Sequence, residues 1–279
     1  MVKSVSDLIH VTKLKVMFIG DAGAGKTFLA GTAGKHEVLG PILFLSLEGG
    51  LESVAHMQGV YYEEITSMKK LEEVWQTLND NDGVWDGIKF NSVAIDSATE
   101  MQTLDVDEIV ASKMTRGGKR TKDEVYLEDY GISTRRLARI FRSFRNLNMH
   151  TFFTCLPKYT LSNSGNSVLS IDPLLTPKLA GLFRGYMSFV WYVYIAQDPN
   201  DNKDKRFLMT ESNGIVKCKS RGHGFNQYLR KTFNHVIPQP YMDLGWIYDM
   251  YVENQEAYRK ITEDALEAQK KKILGESKK

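Results

Sequence analysis

Gly20, Gly25, Lys26 and Thr27 stand in the spacing G-x-x-x-x-G-K-[ST] without a mismatch. Glycines at 20, 23 and 25 let the backbone turn tightly and aim successive N–H groups at one point, so a polyphosphate can be held without side chains. From there Lys26 would reach the β and γ phosphates, and the Thr27 hydroxyl would serve Mg²⁺. Asp21, Ala22 and Ala24 complete the loop and Phe28 follows it. The run from Gly20 to Phe28 is therefore expected to line a nucleotide, with ATP and Mg²⁺ as cofactors.

Two carboxylates are candidates to complete such a site. Asp96 ends the apolar run "SVAID" and is expected beside the metal. A turn or helix-cap aspartate is the plain alternative. Ser97 follows rather than a second acid, so a base that orients an attacking water has to come from elsewhere. Glu48, after the apolar "PILFLSL", is best placed, because strands near the centre of a parallel sheet deliver side chains to the crevice at their carboxyl ends. Its alternative is a cap on the following helix. The histidines are scattered, and no His/Cys spacing points to zinc.

The elements that must position these residues alternate between strand and helix patterns, which argues for a parallel sheet flanked by helices. Apolar, β-rich runs read as strands at Lys13–Gly20, Pro41–Gly50, Val60–Ile65, Phe90–Ser97 and His150–Cys155, and later at "SFVWYVYIA" and "RFLMTE". Thr66 or Ser67 is expected to cap a helix through Leu78 that turns Leu71, Val74, Trp75 and Leu78 to one face. A helix after Asp96 runs into the polar "KMTRGGKRTKDE", and an amphipathic helix is expected from about Ile132 to Asn146. "KYTLSNSGNSVLSI" reads as a hairpin with a Ser/Asn/Gly tip. A charged helix from about Leu244 to Leu274 closes the chain, its first turns docking through Trp246, Ile247, Met250 and Tyr251. The expected division is a core over 1–240 and a helix with a lysine-rich tail over 241–279.

Composition sets the setting more than the function. The 279 residues carry a net charge of +2 and only two cysteines, Cys155 and Cys218, so a disulfide framework is not expected and the cytoplasm is. The apolar stretch Met187–Ala196 is too short to span a bilayer, and no membrane role is expected. Charge is nevertheless uneven. Lys113, Arg116, Lys119, Arg120 and Lys122 crowd one glycine-containing segment. No acid occurs between Tyr130 and Ile171, where Arg135, Arg139 and Arg142 share a helical face and Lys158 follows. These residues are expected to track phosphates of single-stranded DNA, with Tyr159 able either to stack on a base or to pack the hairpin. A solvated helix face beside a loop is the alternative.

"GDAGAGKT", "FLSLEGGLES" and "VAIDSATEM", in that order, resemble the RecA core of P-loop NTPases over roughly Lys13 to Gly224. The likeness is greatest to small bacteriophage RecA-like ATPases of single-strand annealing and recombination. It implies a RecA-like P-loop core with a mostly parallel central sheet flanked by helices, and here a C-terminal helical extension. It also implies ATP hydrolysis with Glu48 as base and Asp96 at the metal, single-stranded DNA and a single-strand binding protein as partners, and a bacterial host's cytoplasm. Lys219 and Arg221 in "KCKSRGHG" resemble the K-x-R pair that RecA-core hexameric helicases insert into a neighbour's site, which implies a ring or filament; a basic surface turn is the alternative. One departure is Cys155, which stands where the RecA family has a glutamine that senses the γ-phosphate. A nucleotide-dependent switch or loader without strong DNA binding, and a small-molecule or nucleotide kinase, are the competing readings.

Overall fold

The computed structural model describes residues 13–114, 121, 123–198 and 201–276. The chain opens with β1 (Lys15–Ile19), the glycine loop and α1 (Lys26–Gly31), then β2 (Ile42–Ser46), β3 (Val60–Glu64) and α2 (Met68–Asp80). A two-stranded ribbon, β4 (Val84–Trp85) and β5 (Ile88–Lys89), leads into β6 (Ser92–Asp96), α3 (Ala98–Met114), α4 (Leu127–Asn146) and β7 (His150–Cys155). The hairpin of β8 (Pro157–Leu161) and β9 (Val168–Pro173) follows, then α5 (Pro177–Tyr186), β10 (Phe189–Gln197) and β11 (Asp204–Met209). The chain continues through β12 (Lys219–Ser220), α6 (His223–Phe233), β13 (Val236–Pro238) and α7 (Leu244–Glu276).

One sheet organises the molecule, in the order β13-β11-β10-β1-β7-β6-β2-β3, with β12 paired to the start of β10. All pairings from β10 through β3 are parallel, and β11, β12 and β13 join antiparallel. This is the expected mostly parallel sheet flanked by helices. Residues of β1 alternate between two cores: Met17 and Ile19 pack with α2, α3, α4 and α5, whereas Val16 and Phe18 pack with α1, α6 and α7. A strand buried on both faces must be apolar throughout, which is why "KVMFI" lacks the alternation of a half-exposed strand. On the first face Phe141 of α4 stacks on Phe183 of α5 at 3.8 Å, and Phe153 of β7 meets both rings edge-on.

Register sets the functional edge. Ile19 pairs with Cys155 on one side and Tyr192 on the other, and Ser46 pairs with Asp96, so β1, β7, β6 and β2 end at one rim while β10 runs on past it to Gln197. Parallel α/β sheets bind ligands outside this carboxyl edge.

Several helix boundaries differ from the sequence expectation. Ser67 caps α2 as read, accepting from the Lys70 N–H. However, α4 starts at Leu127 rather than near Ile132, because the buried Asp129 carboxylate accepts the Tyr126 N–H and fixes the first turn there. Two helices, α5 and α6, were not expected. α5 carries a proline at its first position after Thr176, a start signal in its own right. α6 begins inside "RGHG", and that segment's glycines serve packing: a Cβ on Gly224 would lie 2.2 Å from the Asn254 carbonyl oxygen of α7. Among the described residues no helix is long and apolar enough to cross a membrane.

Because the obstacle at Gly224 is backbone, it cannot swing aside. Gly224→Ala should destabilise the fold by about 1–3 kcal/mol, read as a drop of several degrees in melting temperature. An unchanged melting temperature would show that α6 and α7 can separate without cost.

Candidate active site

The glycine loop follows β1 directly, and its glycines are enforced by geometry. A Cβ on Gly20 would lie 2.3 Å from the Val193 carbonyl oxygen of β10, while Gly23 and Gly25 have φ of +76° and +102°. The Gly20 N–H donates to the Cys155 carbonyl, which anchors the loop to β7, and the Ala24 N–H donates to the Asp21 carbonyl. Lys26 is buried; its ammonium donates to the carbonyls of Gly20 at 2.8 Å and Asp21 at 2.9 Å and so lies over the loop. Burial lowers its pKa, opposed by the negative charges of Asp96, Glu48 and Asp21. That electrostatic reach brings the loop and both expected carboxylates into one neighbourhood.

Asp96 is 3% exposed and forms no ion pair among the described residues. Its two carboxylate oxygens take separate hydroxyls: Thr27 donates to Oδ2 at 2.7 Å and Thr154 of β7 donates to Oδ1. The donor set at this point is a carboxylate and hydroxyls, all hard oxygen, which suits Mg²⁺ rather than zinc. No group of three His, Cys, Asp or Glu side chains able to hold a metal occurs among the described residues. A cation here would rely on Thr27, Asp96 and the oxygens of a bound phosphate, which fits an ion that keeps few protein ligands.

Glu48 lies two residues past β2, at the mouth of an open cleft of about 880 Å³ that Glu100 and Tyr62 also line. The residue is exposed, yet its carboxyl end is crowded, and desolvation raises its pKa; a Ser97 hydrogen bond opposes this and the Asp96 charge adds to it. A carboxylate with a raised pKa, open to water beside the buried Asp96, has the properties of a general base.

The sequence pattern of the AAA domain family matches residues 12–222. The chain belongs to this family of P-loop ATPases. No curated protein matches it by sequence. Among solved structures it is similar to the KaiC-like protein PH0186 of the hyperthermophilic archaeon Pyrococcus horikoshii OT3. That similarity covers 70% of this chain and 76% of the other at 13% identity, with a TM-score of 0.38.

Other residues of this AAA domain fall around the loop in ways the sequence did not announce. Thr99 of α3 accepts the Leu156 N–H at 3.0 Å and touches the Cys155 sulfur at 3.2 Å. Cys155 is wholly buried, and burial pushes its thiol up to about 11, so it is a packing residue under the loop. Tyr159 of β8 donates its hydroxyl to the Asp21 carboxylate at 2.6 Å and lies 3.3 Å from the Tyr192 hydroxyl. The hairpin is thus tied to the glycine loop, and the hydroxyl of Tyr159 is committed to that tie.

The basic residues lie in several separate places. Arg135, Arg139 and Arg142 lie exposed along α4, with Glu72 3.8 Å from Arg139 and the Tyr186 ring beside Arg142. Lys158 is exposed on β8, and lines a cleft with Tyr130 at the start of α4. Lys113, by contrast, is engaged by the Glu128 and Asp129 carboxylates at 2.5 and 2.7 Å, which leaves its charge matched. Arg116, Lys119, Arg120 and Lys122 lie outside the described residues. Lys219 and Arg221 lie at the opposite rim from the glycine loop: Ser220 pairs with Phe189 at the start of β10, and the Arg221 N–H donates to the Ser188 carbonyl. They cannot serve the same subunit's loop from there. The Lys219 ammonium donates to the Arg184 carbonyl at 2.8 Å, and Arg221 is exposed.

The raised pKa of Glu48 sets a direction for pH dependence. As a base it acts ionised, so ATP turnover should fall as pH drops through a midpoint above the ordinary 4.5. Glu48→Gln should remove that limb and slow turnover by roughly 10²- to 10⁴-fold with ATP binding retained, whereas Lys26→Ala should weaken binding itself. A Glu48→Gln enzyme with normal turnover would take this residue out of the chemistry.

Proposed function

We propose that this chain is a RecA-like ATPase that assembles on single-stranded DNA and hydrolyses ATP there, in recombination or strand annealing of the phage type. The observation that carries the enzymatic half is the buried Asp96 bonded to Thr27, within electrostatic reach of both Lys26 and Glu48. In this reading Lys26 neutralises the β and γ phosphates, and Thr27 and Asp96 hold Mg²⁺, which when bound offsets phosphate charge. Glu48 accepts a proton from water as that water attacks phosphorus.

The DNA half rests on the arginine row of α4. Arg135, Arg139 and Arg142 span about 10 Å of helix at 1.5 Å per residue, a length that matches a few phosphates, and they point away from the apolar side formed by Leu137, Phe141 and Phe144. Phosphate neutralisation then supplies affinity without sequence preference. Single-stranded DNA should stimulate ATP turnover. Changing the three arginines together to Ala should weaken DNA binding and flatten its salt dependence by about 0.7 for each phosphate no longer neutralised. Unchanged affinity and slope would reduce the row to a solvated helix face.

Polarity within the subunit supports the assembly part of this reading. A phosphate loop at one rim and the Lys219/Arg221 pair at the other suit a head-to-tail contact, which generates rings or filaments. Arg221→Ala should keep ATP binding and lose turnover by up to roughly 10³-fold or more. Mixed with Lys26→Ala it should regain part of the activity, because some interfaces then join a sound loop to a sound arginine. Two variants that co-assemble yet remain inactive would rule out the contribution from a neighbour.

A further inference from the structure

The glycine loop accounts for the phosphates of a nucleotide, and the remainder must lie against whatever adjoins Gly25 and Phe28. A Cβ on Gly25 would lie 3.1 Å from both Cδ and Nε of Arg206, so this side chain of β11 crosses the loop at its tightest turn. Arg206 is exposed, and no carboxylate pairs with it among the described residues. Its backbone N–H donates to Oε1 of Gln239 at 3.2 Å, and among the described residues no acceptor meets the amide nitrogen of that side chain. Phe28, the residue after Thr27, is 44% exposed with its ring 6.3 Å from that of His56.

These residues border two adjoining clefts. One, of about 510 Å³, runs from the glycine loop to Arg206 and Gln239. The other, of about 1140 Å³, shares Phe28, Gln239 and Met242 with it and continues past His56 and Pro240. Two of the three lysines on its wall are matched, Lys205 by Asp198 at 2.7 Å and Lys35 by Asp243 at 3.2 Å, and the third, Lys203, is exposed with no carboxylate partner among the described residues. An exposed aromatic face beside a side-chain amide suits a heterocycle, whereas the arginine over Gly25 suits phosphate oxygens.

We propose that the larger cleft is the nucleobase site, with the base against Phe28 and the Gln239 amide, and that Arg206 contacts the phosphates from within the same subunit. This rests on the reading of the glycine loop as a nucleotide site. The base is then recognised by residues more than 200 positions apart, Phe28 and Gln239, which β11 and the segment after β13 bring to the loop.

The test compares Mg²⁺-ATP with Mg²⁺-tripolyphosphate, which has the phosphates and no base, by calorimetric titration. Phe28→Ala should lower ATP affinity roughly 5- to 150-fold, the range for removing one base stack, with tripolyphosphate binding unchanged. Phe28→Trp should restore ATP binding, and Arg206→Ala should weaken both ligands. Because Phe28 is exposed, the melting temperature of the variant should match the wild type and confirm folding. An ATP affinity that Phe28→Ala leaves intact, or an equal loss for both ligands, would overturn the base site. A wild type that binds ATP no tighter than tripolyphosphate would also overturn it while leaving the phosphate loop intact. A wild type that binds neither would remove the loop's nucleotide reading and the base site together.

Discussion

A buried carboxylate that makes no ion pair among the described residues is the constraint on which the rest of the site depends. Removing an ionised carboxylate from water is costly unless hydrogen bonds replace the missing hydration. At Asp96 those bonds come from Thr27, just after the glycine loop, and Thr154, on β7. Supplying both requires the strand order found here. β7 lies between β1 and β6, which puts Thr154 beside Asp96 while α1 brings Thr27 across from β1. Any other neighbour for β6 would have to provide the same hydroxyl. The sheet order and the chemistry of Asp96 are therefore one requirement, and the result is a negative group poised for a cation beside a loop built for phosphate.

Local chemistry was legible in the sequence, and so was the sheet. The glycine spacing, the fully apolar β1, the Ser67 cap and the aspartate that ends β6 each depend on residues within a few positions, and each appears where the residues imply. Thr154, Thr99, Tyr159 and Arg206 were not legible in these roles, because their partners are 58, 56, 138 and about 180 positions away and meet them only through strand pairing. The early start of α4 belongs to the same class: Asp129 caps the helix while also holding Lys113, a contact between helices that periodicity does not reveal.

The glycine-rich basic turn illustrates how one pattern can carry two causes. Its glycines are explained by close approach to α7, where side chains at 222 or 224 would strike Tyr251, Gln255 and the Asn254 carbonyl. Its charges are not explained by that packing, since Arg221 faces outward. The glycines therefore answer a packing requirement and the Arg221 charge a surface property. Lys113 is the converse case, a residue that looked like part of a charge cluster and is held in an ion-paired helix junction.

The bond from Tyr159 to Asp21 joins the hairpin to the phosphate loop without passing through Cys155. Thermodynamic linkage makes such a connection symmetric. If a molecule gripping the hairpin favours the state in which this bond is broken, and a nucleotide favours the state in which it is made, each weakens the other by the same factor. The size of that factor is limited by the free energy difference between the two states of the tie, and a hydrogen bond to a charged group contributes about 1.5–3 kcal/mol. One phenol on one strand thus sets an upper bound, of roughly ten- to a hundredfold, on how strongly the hairpin and the loop can sense each other through this route.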